Sequence, residues 1–412
     1  MNAATAQAST ELEMLDLAAL SDIGTRVHSS LKKVERWVED HNYEAYEPFD
    51  CLSSPLGQLT RVSPLADRLL QQVGRQSPIN FRPLLGVKPL PSTKGRGYMA
   101  AGYITLYKLT GEDEYSRKAV SCLDWLIANK SPKFDEFSWA NHFDYASRGG
   151  RYGKHESIIV WTSLIGQAFL DAFETFCDAR YLDIADSICR WICGLPRERT
   201  LTGTCISYHM LEQNSVHNAS MLGAAMLART WRYRKNPQYL SLASEAMEYS
   251  CTRLLPDGSW WYGEHPKYHW VDNFHTGYNL DSLKCYIEST GDRTFEPHLH
   301  RAFDYFKSTF FEADGLPKYY HNRTYPIDIQ CASQAIETLA KFSEFGADVL
   351  PLAERVATWT IDRMQDRSGY FYYRRYPLMA ARIPMLHWGQ ATMYYALALL
   401  LKREAQQRSA VR

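Results

Sequence analysis

Apolar residues recur at three- and four-residue spacing along most of this chain, the period of an amphipathic helix. The stretch 268–290 shows the pattern best: Trp270, Asp272, Asn273 and His275 open it, and Tyr278, Leu280, Leu283 and Ile287 follow as a buried stripe. A helix that begins with hydrogen-bonding side chains and then turns apolar directs its free N–H groups at whatever binds there. Weaker copies are expected to begin near Tyr98, Ile158, Asn218, Asp328 and His387, at intervals of roughly 55–60 residues, the length of a helical hairpin with a long loop. Between them lie short turns that run into an aromatic residue, at 110–115, 177–181, 235–239, 290–295 and, more weakly, 345–350. Each turn leads into a second helix with small and aromatic positions, such as Ala119/Leu123/Trp125 and Ala353/Val356/Trp359. Asp-Gly or Ser-Gly turns flanked by aromatics follow three of these helices, at Asp257, Asp314 and Asp366, and read as short hairpins.

Six helices of the first kind and five of the second require one more partner. An N-terminal helix supplies it, either the amphipathic run through Met14, Leu17, Ile23, Val27, Leu31 and Val34 or a shorter helix near 64–73. The pattern therefore predicts an all-α (α/α)6 toroid of helical hairpins with short β-hairpins on one rim. A polar tail at 1–10 precedes N-terminal helices and loops at 11–95 that complete the ring, and the hairpin toroid runs over 96–405. An open solenoid is the alternative, but its repeats and loops are usually shorter.

Composition narrows the partners. Lysine plus arginine and aspartate plus glutamate are both 46, a balance that argues against nucleic acid and against an anionic membrane surface. No apolar run reaches membrane-spanning length, and the N-terminus lacks the pattern of a secretory signal. The nine cysteines are odd in number and scattered, which fits buried thiols and a cytoplasmic location better than a disulfide framework. Aromatic residues reach 13%, with 27 tyrosines and 11 tryptophans, enough both to pad helix contacts and to cover sugar faces.

Three chemistries fit the side chains expected on the rim. Asp272, Asp328 and Glu156 are acids at helix starts and suit a paired-carboxylate glycosidase, although the two aspartates equally suit N-caps. His265, His269 and His275 suggest a metal site, but Pro266 breaks the helical spacing that would align them, and no metal or cofactor is expected. Tyr320, Arg323 and Tyr325, with Tyr372 and Arg374, suit proton abstraction beside a sugar carboxylate, the arginine holding the carboxylate and the tyrosines exchanging the proton. An aromatic hairpin with solvated arginines explains those residues as readily. Glu264, Trp270, His387 and Trp388 complete the set expected to touch a substrate.

The chain resembles the six-hairpin glycosidase-like group, and within it the C-terminal helical domain of heparosan glucuronyl C5-epimerases and related polysaccharide-biosynthesis proteins. The residues that carry the resemblance are Gly166-Gln167-Ala168, repeated as Gly389-Gln390-Ala391, the aromatic and acidic loop from Trp260 to Asn273 with Glu264, Pro266 and Tyr268, and Tyr320, Arg323 and Tyr325 before Asp328 and Gln330. The resemblance implies catalytic tyrosines, a carboxylate-binding arginine and an acidic polysaccharide or oligosaccharide as substrate. Uronate C5-epimerisation is the leading expectation. A glycoside hydrolase or a non-catalytic glycan-binding protein is the alternative, and a homodimer is compatible with either.

Overall fold

The computed structural model describes residues 20–147 and 150–411. The expected tail at 1–10 and the first turns of the expected helix from 11 lie outside the described residues. Six helices form an inner ring: α4 (Thr93–Thr110), α6 (Ile159–Phe176), α8 (His217–Arg234), α10 (Asn273–Thr290), α12 (Ile329–Lys341) and α14 (Thr392–Val411). Each lies against the next, and α14 returns to α4. Outside them stand α5 (Asp113–Ala128), α7 (Ala179–Gly194), α9 (Pro237–Cys251), α11 (Glu296–Thr309) and α13 (Val349–Met364), with α1 (Asp22–Asp40) as the sixth outer helix, against α14. The result is a closed (α/α)6 toroid. Among the described residues no helix is long and apolar enough to cross a membrane.

Close approach of the inner helices depends on glycine. A Cβ on Gly97 would stand 2.9 Å from Ile165 of α6, one on Gly102 2.5 Å from the Tyr394 ring of α14, and one on Gly277 2.7 Å from Gln334 of α12. Gly166 meets Met226 of α8 in the same way. Four inner helices (α4, α6, α8 and α10) end on a left-handed residue, Gly111, Cys177, Lys235 and Gly291, which reverses the chain toward the outer helix. The aromatic residues that mark these turns in the sequence, Tyr115, Tyr181, Tyr239 and Phe295, are buried beneath them.

The axis of the ring is filled rather than hollow. Lys94 Nζ donates to Tyr278 Oη at 3.1 Å, Gln330 Nε2 donates to the same oxygen at 3.0 Å, and Tyr98 Oη lies 3.5 Å away. All four side chains are buried. Burial pushes the Lys94 ammonium down to about 7, against the opposing pull of Glu47 and Glu337.

At the rim, the Asp-Gly turns share one device. Asp257, Asp314 and Asp366 each accept the N–H two residues on, and Gly258, Gly315 and Gly369 follow with φ of 90°, 92° and 111°. Each glycine abuts the next outer helix: Gly258 the Arg301 carbonyl of α11, Gly315 that of Arg355 in α13, and Gly369 that of Lys33 in α1. The last of these contacts ties the end of the ring to its beginning. The strands at the rim are short. β3 (Tyr145–Ser147) pairs with β4 (Gly150–Tyr152), β5 (Arg197–Thr200) with β6 (Gly203–Ile206), and β7 (Ile327–Asp328), β8 (Arg374–Arg375) and β9 (Ala380–Ala381) form an antiparallel triplet. Further out, β1 (Glu44–Ala45) pairs with β2 (Leu90–Pro91).

The segment between these last two strands forms a cover over part of the rim. It carries α2 (Pro55–Leu59) and α3 (Pro64–Gln76). Arg82 is buried beneath them, on Asp50 at 2.7 Å and on the Gly74 and Glu47 carbonyls. The cover is fixed by polar contacts. Asp67 meets Arg151 at 2.9 Å, the Gln76 side chain accepts from Arg374 at 2.9 Å, and Glu47 meets His387 at 2.5 Å.

Two outcomes follow. Gly369→Ala places a Cβ 2.5 Å from the Lys33 carbonyl at a positive φ, whereas a Cβ on Gly291, also at positive φ, meets nothing within 4 Å. Gly369→Ala is expected to cost roughly 1–3 kcal/mol and Gly291→Ala distinctly less, read from urea midpoints at unchanged slope. For Lys94, the native value near 7 lies below the ordinary 10.5, so between those two pH values the unfolded chain binds a proton that the native chain does not. Stability relative to Lys94→Met should therefore rise from about pH 7 to about pH 9 and be flat below about pH 6, by thermal unfolding of both proteins.

Candidate functional site

The cover leaves open the sector of the rim over α8 and α10. A narrow crevice, too tight as it stands to admit a water molecule, lies there between Asn218, Trp260, Trp261, Tyr262, Trp270, Asp272, His275, Thr276 and Asn279. Asp272 organises it. As N-cap of α10 its Oδ1 accepts the His275 N–H at 3.0 Å, and its Oδ2 accepts from Trp270 Nε1 at 2.9 Å. The same Oδ2 lies 2.7 Å from His275 Nδ1. A ring nitrogen facing a carboxylate carries the proton, so the neutral imidazole of His275 keeps its lone pair on Nε2. An Asp–His pair of this kind orients a general base.

Aromatic rings wall the cleft. Tyr262 stacks on Trp270 with centroids 4.5 Å apart and planes 13° off parallel, and lies 4.5 Å from the His275 ring. Trp261 stacks on His269 at 5.0 Å. Asn218 Oδ1 and Asn279 Oδ1 are buried acceptors with no hydrogen-bond partner, one on α8 and one on α10. Buried acceptors of that sort are costly unless something donates to them.

Other expected residues border the cleft. The backbone of Tyr320 bridges to Asp272 and to Arg323, whose guanidinium lies 4.3 Å from the Tyr320 ring centroid. Tyr320 is half-buried, and burial, then the Asp272 charge, raise its phenol above the usual range, with Arg75, Arg323 and Arg374 opposing. It is therefore a proton donor rather than a phenolate at neutral pH. Tyr325 and Arg323 are exposed. Glu264 accepts from His217 Nε2 at 2.8 Å and lies 3.4 Å from Arg253, and the bond to His217 is the main cause of its lowered value.

The remaining expected residues serve the frame. Asp328 is wholly buried as N-cap of α12 and receives the Gln330 N–H, Trp388 Nε1 at 2.8 Å and Arg374 Nε at 2.5 Å. Those bonds occupy both Asp328 and Arg374, so neither faces a ligand. His387 is buried against Glu47, and burial lowers its value despite that partner. Glu156 is buried and meets Lys133 at 2.6 Å. Tyr372 donates to Asp366 at 2.9 Å and lies under Arg382, away from the residues that line the cleft. Of the three histidines weighed as metal ligands, His265 caps a short 3-10 turn and His269 meets the Glu264 carbonyl at 3.0 Å. Among the described residues no group of three or more side chains suits a metal ion.

Sequence reasoning passed over Trp261, Tyr262, Thr276 and Asn279. The run Trp260-Trp261-Tyr262 was a usable signal, since three consecutive rings exceed what one hairpin face can bury.

No protein-family model matches this chain, and no curated protein does. Solved structures do. Cellobiose 2-epimerase from Bacillus thermoamylovorans aligns at 10% identity over 75% of this chain and 87% of its own, with a TM-score of 0.58. A polysaccharide lyase aligns at 11% identity over 94% and 98%, with a TM-score of 0.60. An unsaturated glucuronyl hydrolase specific for heparin aligns at 13% identity over 94% and 98%, with a TM-score of 0.59. At such identities the likeness concerns architecture, and the chain shares with these proteins the (α/α)6 toroid fold.

Proposed function

We propose that this protein is a carbohydrate-active enzyme that moves a proton on an acidic glycan, as a uronate C5-epimerase. The observation that carries the reading is the Asp272–His275 pair set in an aromatic cleft beside two unpartnered asparagine acceptors. In this reading Tyr262, Trp270 and Trp261 hold the sugar faces, and Asn218 and Asn279 accept from its hydroxyls. Arg323 holds the carboxylate, a role that Arg374 cannot take while it is bound to Asp328. His275 Nε2 removes the proton from the carbon beside the carboxylate. Tyr320 returns one from the other face, and the negative charge rests meanwhile on the carboxylate oxygens beside Arg323. The described residues 20–95 then complete the ring and cover the rim, while 96–405 bear the chemistry.

The names of the similar structures support a carbohydrate substrate in general, and the glucuronyl hydrolase supports an acidic one. The fold alone does not select the reaction. A hydrolase built on Asp272 and Asp328 is disfavoured because Asp328 is buried and fully engaged.

The test is exchange in deuterated water with uronate polymers, reading label at the carbon beside the carboxylate by NMR. His275→Ala should lower incorporation by about 100-fold or more. Asp272→Asn, which keeps the N-cap, should lower it by roughly tenfold or more without a matching loss of stability. Chain cleavage without label would replace the reading with hydrolysis, and tight binding without either would make the protein a glycan binder.

A further inference from the structure

The cover helix α3 is inside out. Its inward stripe is Asp67, Gln71 and Gly74, all buried, with Asp67 on Arg151 and Gln71 bonded to the Ala146 backbone. Its outward stripe is Leu65, Leu69 and Val73, at 75%, 68% and 46% exposure. These three recur every four residues on one face of the helix. Leu59, Val62 and Leu84 in the flanking turns are exposed as well. Tyr376 Oη donates to the Gln76 carbonyl at 2.9 Å, which brings the exposed Leu378 alongside. An apolar surface of this extent on a protein in water marks an interaction face.

The charges at its edge say what covers it. Between residues 52 and 92 the sole acid is Asp67, which is buried on Arg151, while Arg61, Arg68 and Lys88 reach the surface. Arg61 pairs with Asp144 of the neighbouring hairpin. The adjoining stretch 374–383 adds Arg375 and Arg382 and contains no acid. The equal totals of acids and bases over the whole chain conceal this local segregation. Two copies meeting about a two-fold axis would set this basic border against itself. A bilayer with anionic headgroups accepts both features, leucines into the acyl boundary and basic side chains at the headgroups. We propose that the outward face of α3 and its flanking turns docks on an anionic lipid bilayer surface, with the rim of the toroid turned toward the lipid. This inference is independent of the reaction carried out in the cleft.

Flotation of the full chain with extruded vesicles tests it, using phosphatidylcholine alone and phosphatidylcholine mixed with phosphatidylglycerol. Binding to the mixed vesicles, weakened by added salt and much weaker on phosphatidylcholine alone, is the expected result. Leu65→Asp with Leu69→Asp should lower partitioning at least about tenfold with unchanged near-ultraviolet circular dichroism. Arg68→Gln with Lys88→Gln should lower the preference for phosphatidylglycerol and serves should the first variant fold poorly. Absence of flotation with either vesicle overturns the proposal. So does a concentration-dependent dimer in sedimentation velocity that the leucine variant abolishes while vesicle binding is absent, which would assign the face to a second copy.

Discussion

Contact between neighbouring inner helices is the constraint on which the rest depends. Gly97, Gly102, Gly166 and Gly277 let four of these seams close to a distance that a side chain would prevent. Once the seams are that tight, six helices are enough to bring α14 back to α4, and the N-terminal helix α1 has only one place left, outside α14. Gly369 then locks turn to helix between segments far apart in the sequence, since Lys33 lies near the start of the described chain and Gly369 near its end. Convergence of side chains from α8, α10 and the loops before them follows from this closure.

Asp272 illustrates how one carboxylate serves several contacts. Its carboxylate accepts one of the orphan N–H groups of α10, holds the Trp270 indole and meets the His275 ring. A change there disturbs the helix start, the Trp270 indole and the His275 ring together, and only a substitution that keeps the cap separates these contacts. Asp328 begins in the same position on α12 but receives Trp388 and Arg374, so the equivalent carboxylate is spent on the frame. Two residues alike in local sequence context thus differ because of what the turn before the last inner helix and β8 bring to one and not the other.

The inner helix starts were legible because helical period and turn chemistry are local. The expected positions near Tyr98, Ile158, Asn218, His275 and Asp328 fall within a few residues of the observed N-termini. That Asp272, His275 and Trp270 gather at one place was legible for the same reason, since all three belong to one helix entry. Arg374, His387 and Glu156 were misleading as substrate contacts because their partners, Asp328, Glu47 and Lys133, come from other parts of the chain or a neighbouring loop. The cover was illegible for a different reason. An amphipathic period announces a buried apolar stripe, and α3 buries the polar one instead.

The filled axis rules out one route through this molecule. With Lys94, Tyr98, Tyr278 and Gln330 joined across the centre, the ring has a floor and no bore. A chain of any kind therefore cannot thread the ring at that level like a string through a bead.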